Sequence, residues 1–272
     1  MGRKQWFCAV ALGVILGAFL AGPSVAGETG RELRQLPRFV ADPFEPRMGL
    51  AVAPGKNDLI GRIGARMPLL RRKFKMSATP VTLTGGLAAY SWTWLGRRGS
   101  TFPVRAVDYL LGAYGQLYWK RWQARLALNH ISAHLGDGFF SDLQRQRRPI
   151  TYSREYLQFS LHRGLPRGEL YGTVQWAYHA IPRVNRWELQ FGGSGRLLSR
   201  GRGTIYLAAH LAFVGGFPSD PRWNLQLGLH LPLPTPGRAM RWALEWQSGP
   251  QIFGQFFDQH TRRLSLGFFI DW

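Results

Sequence analysis

Two stretches near the C-terminus, WNLQLGLHLPL and RLSLGFFIDW, alternate apolar and polar side chains with a strict period of two. In the first, Trp223, Leu225, Leu227, Leu229 and Leu231 share one face, and Asn224, Gln226, Gly228 and His230 share the other. In the second, Leu264, Leu266, Phe268, Ile270 and Trp272 alternate with Arg263, Ser265, Gly267, Phe269 and Asp271. The pattern recurs in ELYGTVQWAY, RWELQF, TIYLAAHLAFV and RWALEWQ. An extended chain sends successive side chains to opposite faces, so each run reads as a strand with one apolar and one polar face. So many runs at regular spacing predict an all-β chain and exclude a helical bundle.

A soluble sandwich would hide the leucine face, whereas a membrane barrel would turn it to lipid and keep the polar face in its lumen. The N-terminus favours the barrel. Arg3 and Lys4 precede an apolar run from Trp6 to Ala21, followed by the small-residue site Ser24-Val25-Ala26. Residues 1–26 therefore read as a secretory signal peptide, with the exported chain starting at Gly27. The single cysteine, Cys8, lies inside that segment, so no disulfide is expected afterwards. Beyond Gly27 no apolar run is long enough for a spanning helix.

The tryptophans agree. Trp122, Trp187, Trp223, Trp242 and Trp272 stand at the ends of apolar faces, where interfacial girdles form. The last strand closes on the aromatic Trp272, which resembles the C-terminal signal of bacterial outer-membrane proteins. That resemblance implies recognition by the outer-membrane assembly machinery. The expectation is a transmembrane antiparallel up-and-down β-barrel in the bacterial outer membrane. Residues 27–45 are expected as an N-terminal periplasmic segment and residues 46–272 as the barrel.

The segments number about twelve: 46–54, 58–68, 81–95, 105–118, 120–133, 151–163, 168–179, 185–197, 203–214, 222–232, 239–248 and 261–272. Outward links at 134–150, 215–221 and 249–260 contrast with short inward ones such as RGLPRG and PTPGR. The inward link RRKFKMSATP is longer and basic. Parity turns Arg121, Arg125, Arg154, Arg241 and Arg263 into the lumen with Glu188, Glu245 and Asp271. Charges of both signs should pair there, because a lone desolvated charge is costly. His162, His210 and His230 point to the same interior.

The net charge is +20, which alone would suggest nucleic acid or an anionic membrane. Export removes nucleic acid as a partner. Membrane lipids and lipopolysaccharide, whose phosphates suit arginine, take its place.

The stretch LALNHISAHLGD holds the site candidate. Trp122, Ala124, Leu126 and Leu128 face lipid, so the same face continues as His130 and Ser132. For a tilted strand His130 lies roughly 20 Å above Trp122, near the outer edge of an apolar band about 25 Å tall. In YSREYLQFSL, Glu155 shares the face of Leu157, Phe159 and Leu161. A carboxylate on the lipid face is penalised unless it is interfacial or paired. Ser132, His130 and Glu155 would serve as nucleophile, general base and orienting acid for attack on a lipid acyl ester. The alternative is a non-catalytic structural barrel or a narrow channel, with these groups simply standing in the polar headgroup layer.

Two resemblances bear on this reading. ADPFEPRMG, HISAHLGDGF, YSREYLQFSL and FGQFFDQHTRRLSLGFFIDW resemble the bacterial outer-membrane domain-of-unknown-function family 1207, which implies location rather than activity. NHIS, residues 129–132, is similar to the His-x-Ser motif of outer-membrane phospholipase A and the lipid A deacylases. In those families the pair lies on the lipid face of a strand, aided by an Asn or Glu on the next. The resemblance implies His130 as base, Ser132 as nucleophile and Glu155 as third member. In those families the third residue follows the serine more closely; here the longer 134–150 link intervenes. No cluster has the spacing of a structural metal site. Asp137 and Asp142 in the outer link would suit a cation such as calcium.

Overall fold

The computed structural model describes residues 36, 38–137, 148–215, 221–235 and 237–271. The signal-peptide expectation, Asp142 and Trp272 lie outside these residues. Twelve strands form a closed antiparallel barrel in chain order, each pairing with its neighbours and β12 closing on β1. They are β1 Met48–Ala53, β2 Asp58–Met76, β3 Thr79–Gly96, β4 Val104–Trp119, β5 Trp122–Leu135 and β6 Tyr152–Leu165. β7 Gly168–Ile181, β8 Trp187–Arg200, β9 Gly203–Val214, β10 Pro221–Pro232, β11 Ala239–Pro250 and β12 His260–Asp271 complete the wall. Closure leaves no free sheet edge along the paired wall, which a sheet in hydrocarbon requires.

The faces follow the alternation. Leu225, Leu227 and Leu229 alternate with buried Asn224, Gln226 and His230; Leu227 and Leu229 are exposed on the outer surface. Trp187, Trp223 and Trp242 are exposed there too. Arg163 stacks over the Trp122 ring at 5.1 Å, a cation–π contact suited to the interface.

The lumen is packed with paired charges. Glu188 joins Arg154 and Arg222, each at 3.1 Å. Arg241 pairs with Asp271, and Arg62 with Glu245 at 2.8 Å. Asp58 takes Arg105 at 3.1 Å and Arg263 at 3.7 Å. His162, His210 and His230 are buried here as expected. Arg121 is not: it stands exposed beside the short β4–β5 turn, one residue before the alternation of β5 begins.

Chain from outside the strands fills the remaining space. Phe39, Val40 and Ala41, within the stretch expected to be periplasmic, are buried among lumen side chains. The Phe39 amide donates to Glu169 Oε1 at 2.9 Å, and its ring packs on Tyr171. Arg47 donates to the carbonyls of Phe39, Val40 and Asp42, folding the segment on itself. Glu45, which precedes the first strand, bridges Arg66 at 2.8 Å and Arg125 at 3.0 Å. Burial opposes its charge, but Arg125 and Arg66 outweigh burial and hold the carboxyl down at about 2.

The link between β11 and β12, on the same side of the barrel as the β5–β6 link, folds into the lumen. Ile252, Phe253 and Phe256 pack with Trp92 and Trp94 inside the barrel. The Gly254 amide donates to Asp108 Oδ2 at 2.7 Å. A Cβ at Gly254 would come within 2.4 Å of the Tyr152 ring, so glycine permits this seating. Gln255 Nε2 donates to the carbonyls of Ala133 and Ile150, tying the link to the end of β5 and the entry to β6 beside the site.

Candidate active site

The site is built from one outward row across β5, β6 and β7. On β5, Ala127, Asn129, Ile131 and Ala133 are buried, so His130 and Ser132 face out between them. On β6, Arg154, Tyr156 and Gln158 are buried, which sends Glu155 outward. Register sets His130 directly opposite Glu155, and Ser132 opposite Ser153. His130 Nδ1 donates to Glu155 Oε1 at 2.7 Å. A carboxylate has only acceptors, so this contact assigns the proton to Nδ1 and leaves Nε2 for a second partner. No hydrogen bond joins the Ser132 hydroxyl to His130 among the described residues.

Two further side chains complete the row. Ser153 Oγ donates to Glu155 Oε1 at 2.5 Å, and His179 Nδ1 donates to Glu155 Oε2. Ser153 shares the parity of Glu155, so its place on this face was readable from β6. His179 was not readable. The inward residues of β7 are Tyr171, Thr173, Gln175 and Ala177, and parity would continue inward at His179. A β-bulge intervenes. Tyr156 pairs with Ala177 while Glu155 pairs with His179, so Tyr178 is an extra residue. A bulge re-aims the chain beyond it, and His179 emerges exposed on the outer face.

The surroundings are those of a membrane interface. Below the row, Leu126, Leu128, Leu157 and Phe159 are exposed large apolar side chains. Trp176, Tyr178 and Trp187 stand together beside it, with ring centroids 6.2 and 6.4 Å apart. Tyr109 lies opposite Ser132 on β4 and meets His134 edge-on at 5.9 Å. A carboxylate with three donors, set above an apolar wall, is stabilised where a lone one would be penalised.

A closed twelve-stranded wall, apolar outside and charged within, defines a bacterial outer-membrane β-barrel protein. Comparison with solved structures agrees. The chain is similar to outer membrane phospholipase A from Escherichia coli, with a TM-score of 0.54 at 12% identity, covering 88% of this chain and 94% of that one. An active-site mutant of the same enzyme gives 0.55 at 12% identity, with the same coverage. The calcium-bound dimer of the Salmonella typhi phospholipase gives 0.53 at 12% identity, again over 88% and 94% of the two chains. At such identity the likeness is one of fold. No family model matches the chain, so the resemblance to the domain-of-unknown-function family gains no support from one, and no curated protein matches it.

Proposed function

We propose that the chain is an outer-membrane acyl-ester hydrolase that acts on membrane lipid at the outer leaflet. The carrying observation is the His130 Nδ1 to Glu155 Oε1 hydrogen bond of 2.7 Å on the lipid face. Ser132 stands two residues along that face. Glu155 orients the imidazole and stabilises its charge as it takes a proton. Ser132 Oγ attacks the ester carbonyl carbon and passes its proton to His130 Nε2. The tetrahedral adduct then expels the alcohol, which takes that proton from His130. A water molecule, deprotonated in the same way, releases the fatty acid and restores the serine.

Membrane phospholipid and lipopolysaccharide are the substrates of this reading, and the assembly machinery would receive the strand that ends at Trp272. The likeness in fold to phospholipase A barrels supports the lipid as substrate. Calcium enters through the Salmonella structure that contains it. Among the described residues no group of three His, Cys, Asp or Glu side chains would hold a metal ion, so no step here uses one.

The second reading is a non-catalytic barrel, and the unjoined Ser132 and His130 favour it. The filled lumen speaks against its narrow-channel form. Hydrolysis of phospholipid and lipopolysaccharide by purified protein, beside Ser132→Ala, separates the two. Release of fatty acid by the wild type and not by the variant supports the hydrolase. No release with or without added calcium, or equal release by both, removes it.

A further inference from the structure

Glu155 is held from both sides, and the donor on its far side belongs to a strand that the triad does not use. Its Oε1 accepts from His130 Nδ1 at 2.7 Å and from Ser153 Oγ at 2.5 Å, and its Oε2 accepts from His179 Nδ1. The three donors come from β5, β6 and β7. The Glu155 side chain keeps a fifth of its surface exposed. Glutamate has three side-chain torsions to order. A carboxylate at the edge of the apolar band, held by Oε1 alone, would gain by turning Oε2 toward water.

We propose that His179 is a positioning residue for this site: by taking Oε2 it keeps Oε1 aimed at His130. The bulge in β7 supports this reading. In a regular ladder, without the bulge, Tyr178 would face Glu155 and His179 would turn into the lumen. The device costs a break in the ladder and brings an imidazole N–H to a carboxylate that already has two donors. The inference rests on the hydrolase reading, because positioning matters only if His130 acts as a base.

The test replaces His179 by residues that differ in where they carry an amide N–H. Asparagine sets its nitrogen near the position of Nδ1, glutamine sets it near Nε2, and alanine has none. Heat-modifiable migration on gels reports barrel folding of each purified variant. Hydrolysis kinetics and the rate of Ser132 labelling by a fluorophosphonate report the site. His179→Ala and His179→Gln are expected to lose about tenfold in kcat with KM little changed, since a small misplacement of a reacting group is costly. Fluorophosphonate labelling should slow in parallel, and His179→Asn should regain most of the rate. Wild-type kinetics in His179→Ala and His179→Gln would overturn the inference alone. So would a loss that asparagine does not recover in a folded barrel. A wild-type protein that neither hydrolyses lipid nor reacts with the probe would remove the hydrolase reading itself, and this inference with it.

Discussion

Strand β6 takes part in histidine–glutamate pairing on both faces of the barrel wall. Outside, its Glu155 holds His130 of β5 at 2.7 Å; inside, its His162 holds Glu169 of β7 at 2.5 Å. Each histidine has a serine two positions away, Ser132 outside and Ser160 inside. By residue type and spacing the two sets are near twins. Their surroundings differ. The His130 and Glu155 side chains are 45% and 20% exposed, against 4% and 7% for His162 and Glu169. Ser160 is buried and accepts from Gln158 and Thr173. Phe39 covers His162 at 5.9 Å and gives its amide to Glu169. The inner set is a sealed polar filling that no ester can reach. Serine, histidine and glutamate therefore define a candidate hydrolase only on the face that meets lipid.

The largest expected effect breaks that symmetry directly. Ser132→Ala should lower lipid hydrolysis by at least about a thousandfold, as loss of a nucleophile does in other serine hydrolases. Ser160→Ala should leave the rate unchanged. Assay of both variants on the same vesicles decides it; a rate that falls with Ser160 instead would reverse the assignment of the two faces.

The carboxylates come next. Glu155→Gln keeps a carbonyl for the His130 Nδ1–H but removes the charge that stabilises a protonated imidazole. It should cost about a hundredfold in kcat. Glu169→Gln should keep the activity and lower stability by about 1–3 kcal/mol, because His162 and the Phe39 amide lose a charged acceptor in a buried place. Urea unfolding beside the hydrolysis assay separates the two outcomes.

A third contrast concerns acid. Glu45 is held down at about 2 against an ordinary 4.5. A depressed carboxyl stabilises the fold above its unfolded value, and that contribution fades as the pH falls through the folded one. It amounts to about 3 kcal/mol at most. The filled lumen should therefore weaken between about pH 4.5 and 2. Glu45→Gln should flatten that part of the stability curve when unfolding is followed by tryptophan fluorescence.

The sequence made the wall legible because a strand's faces are written locally, in alternate residues. The segments expected at 203–214 and 239–248 are the strands β9 Gly203–Val214 and β11 Ala239–Pro250. β2 was expected to end at 68 and runs to Met76. A register shift between Pro68 and Leu70 breaks the alternation just where the basic run begins, so strand looked like loop. The lumen filling was hidden for another reason. Nothing local in Phe39-Val40-Ala41 or Ile252-Phe253 distinguishes a plug from a periplasmic or outer segment; contacts far along the chain decide it. Of the site, His130, Ser132 and Glu155 could be read because parity holds along β5 and β6. His179 could not, since one extra residue in β7 inverts the parity on which the reading depends.

The smallest expected effect measures how deep the outer set lies. Leu128 is one outward step below His130 on β5 and is exposed on the lipid side. A charge on that face costs about 2–4 kcal/mol at the membrane midplane and about 0–1 near the interface. If the row stands at headgroup level, Leu128→Arg should cost about 1–2 kcal/mol, since its long stem can carry the guanidinium up toward the phosphates. Unfolding in urea from phospholipid vesicles gives the number. A full midplane cost would place His130 within the hydrocarbon. Glu155 would then be a buried charge pair rather than part of a site open to an ester, and the outer set would join the inner one as filling.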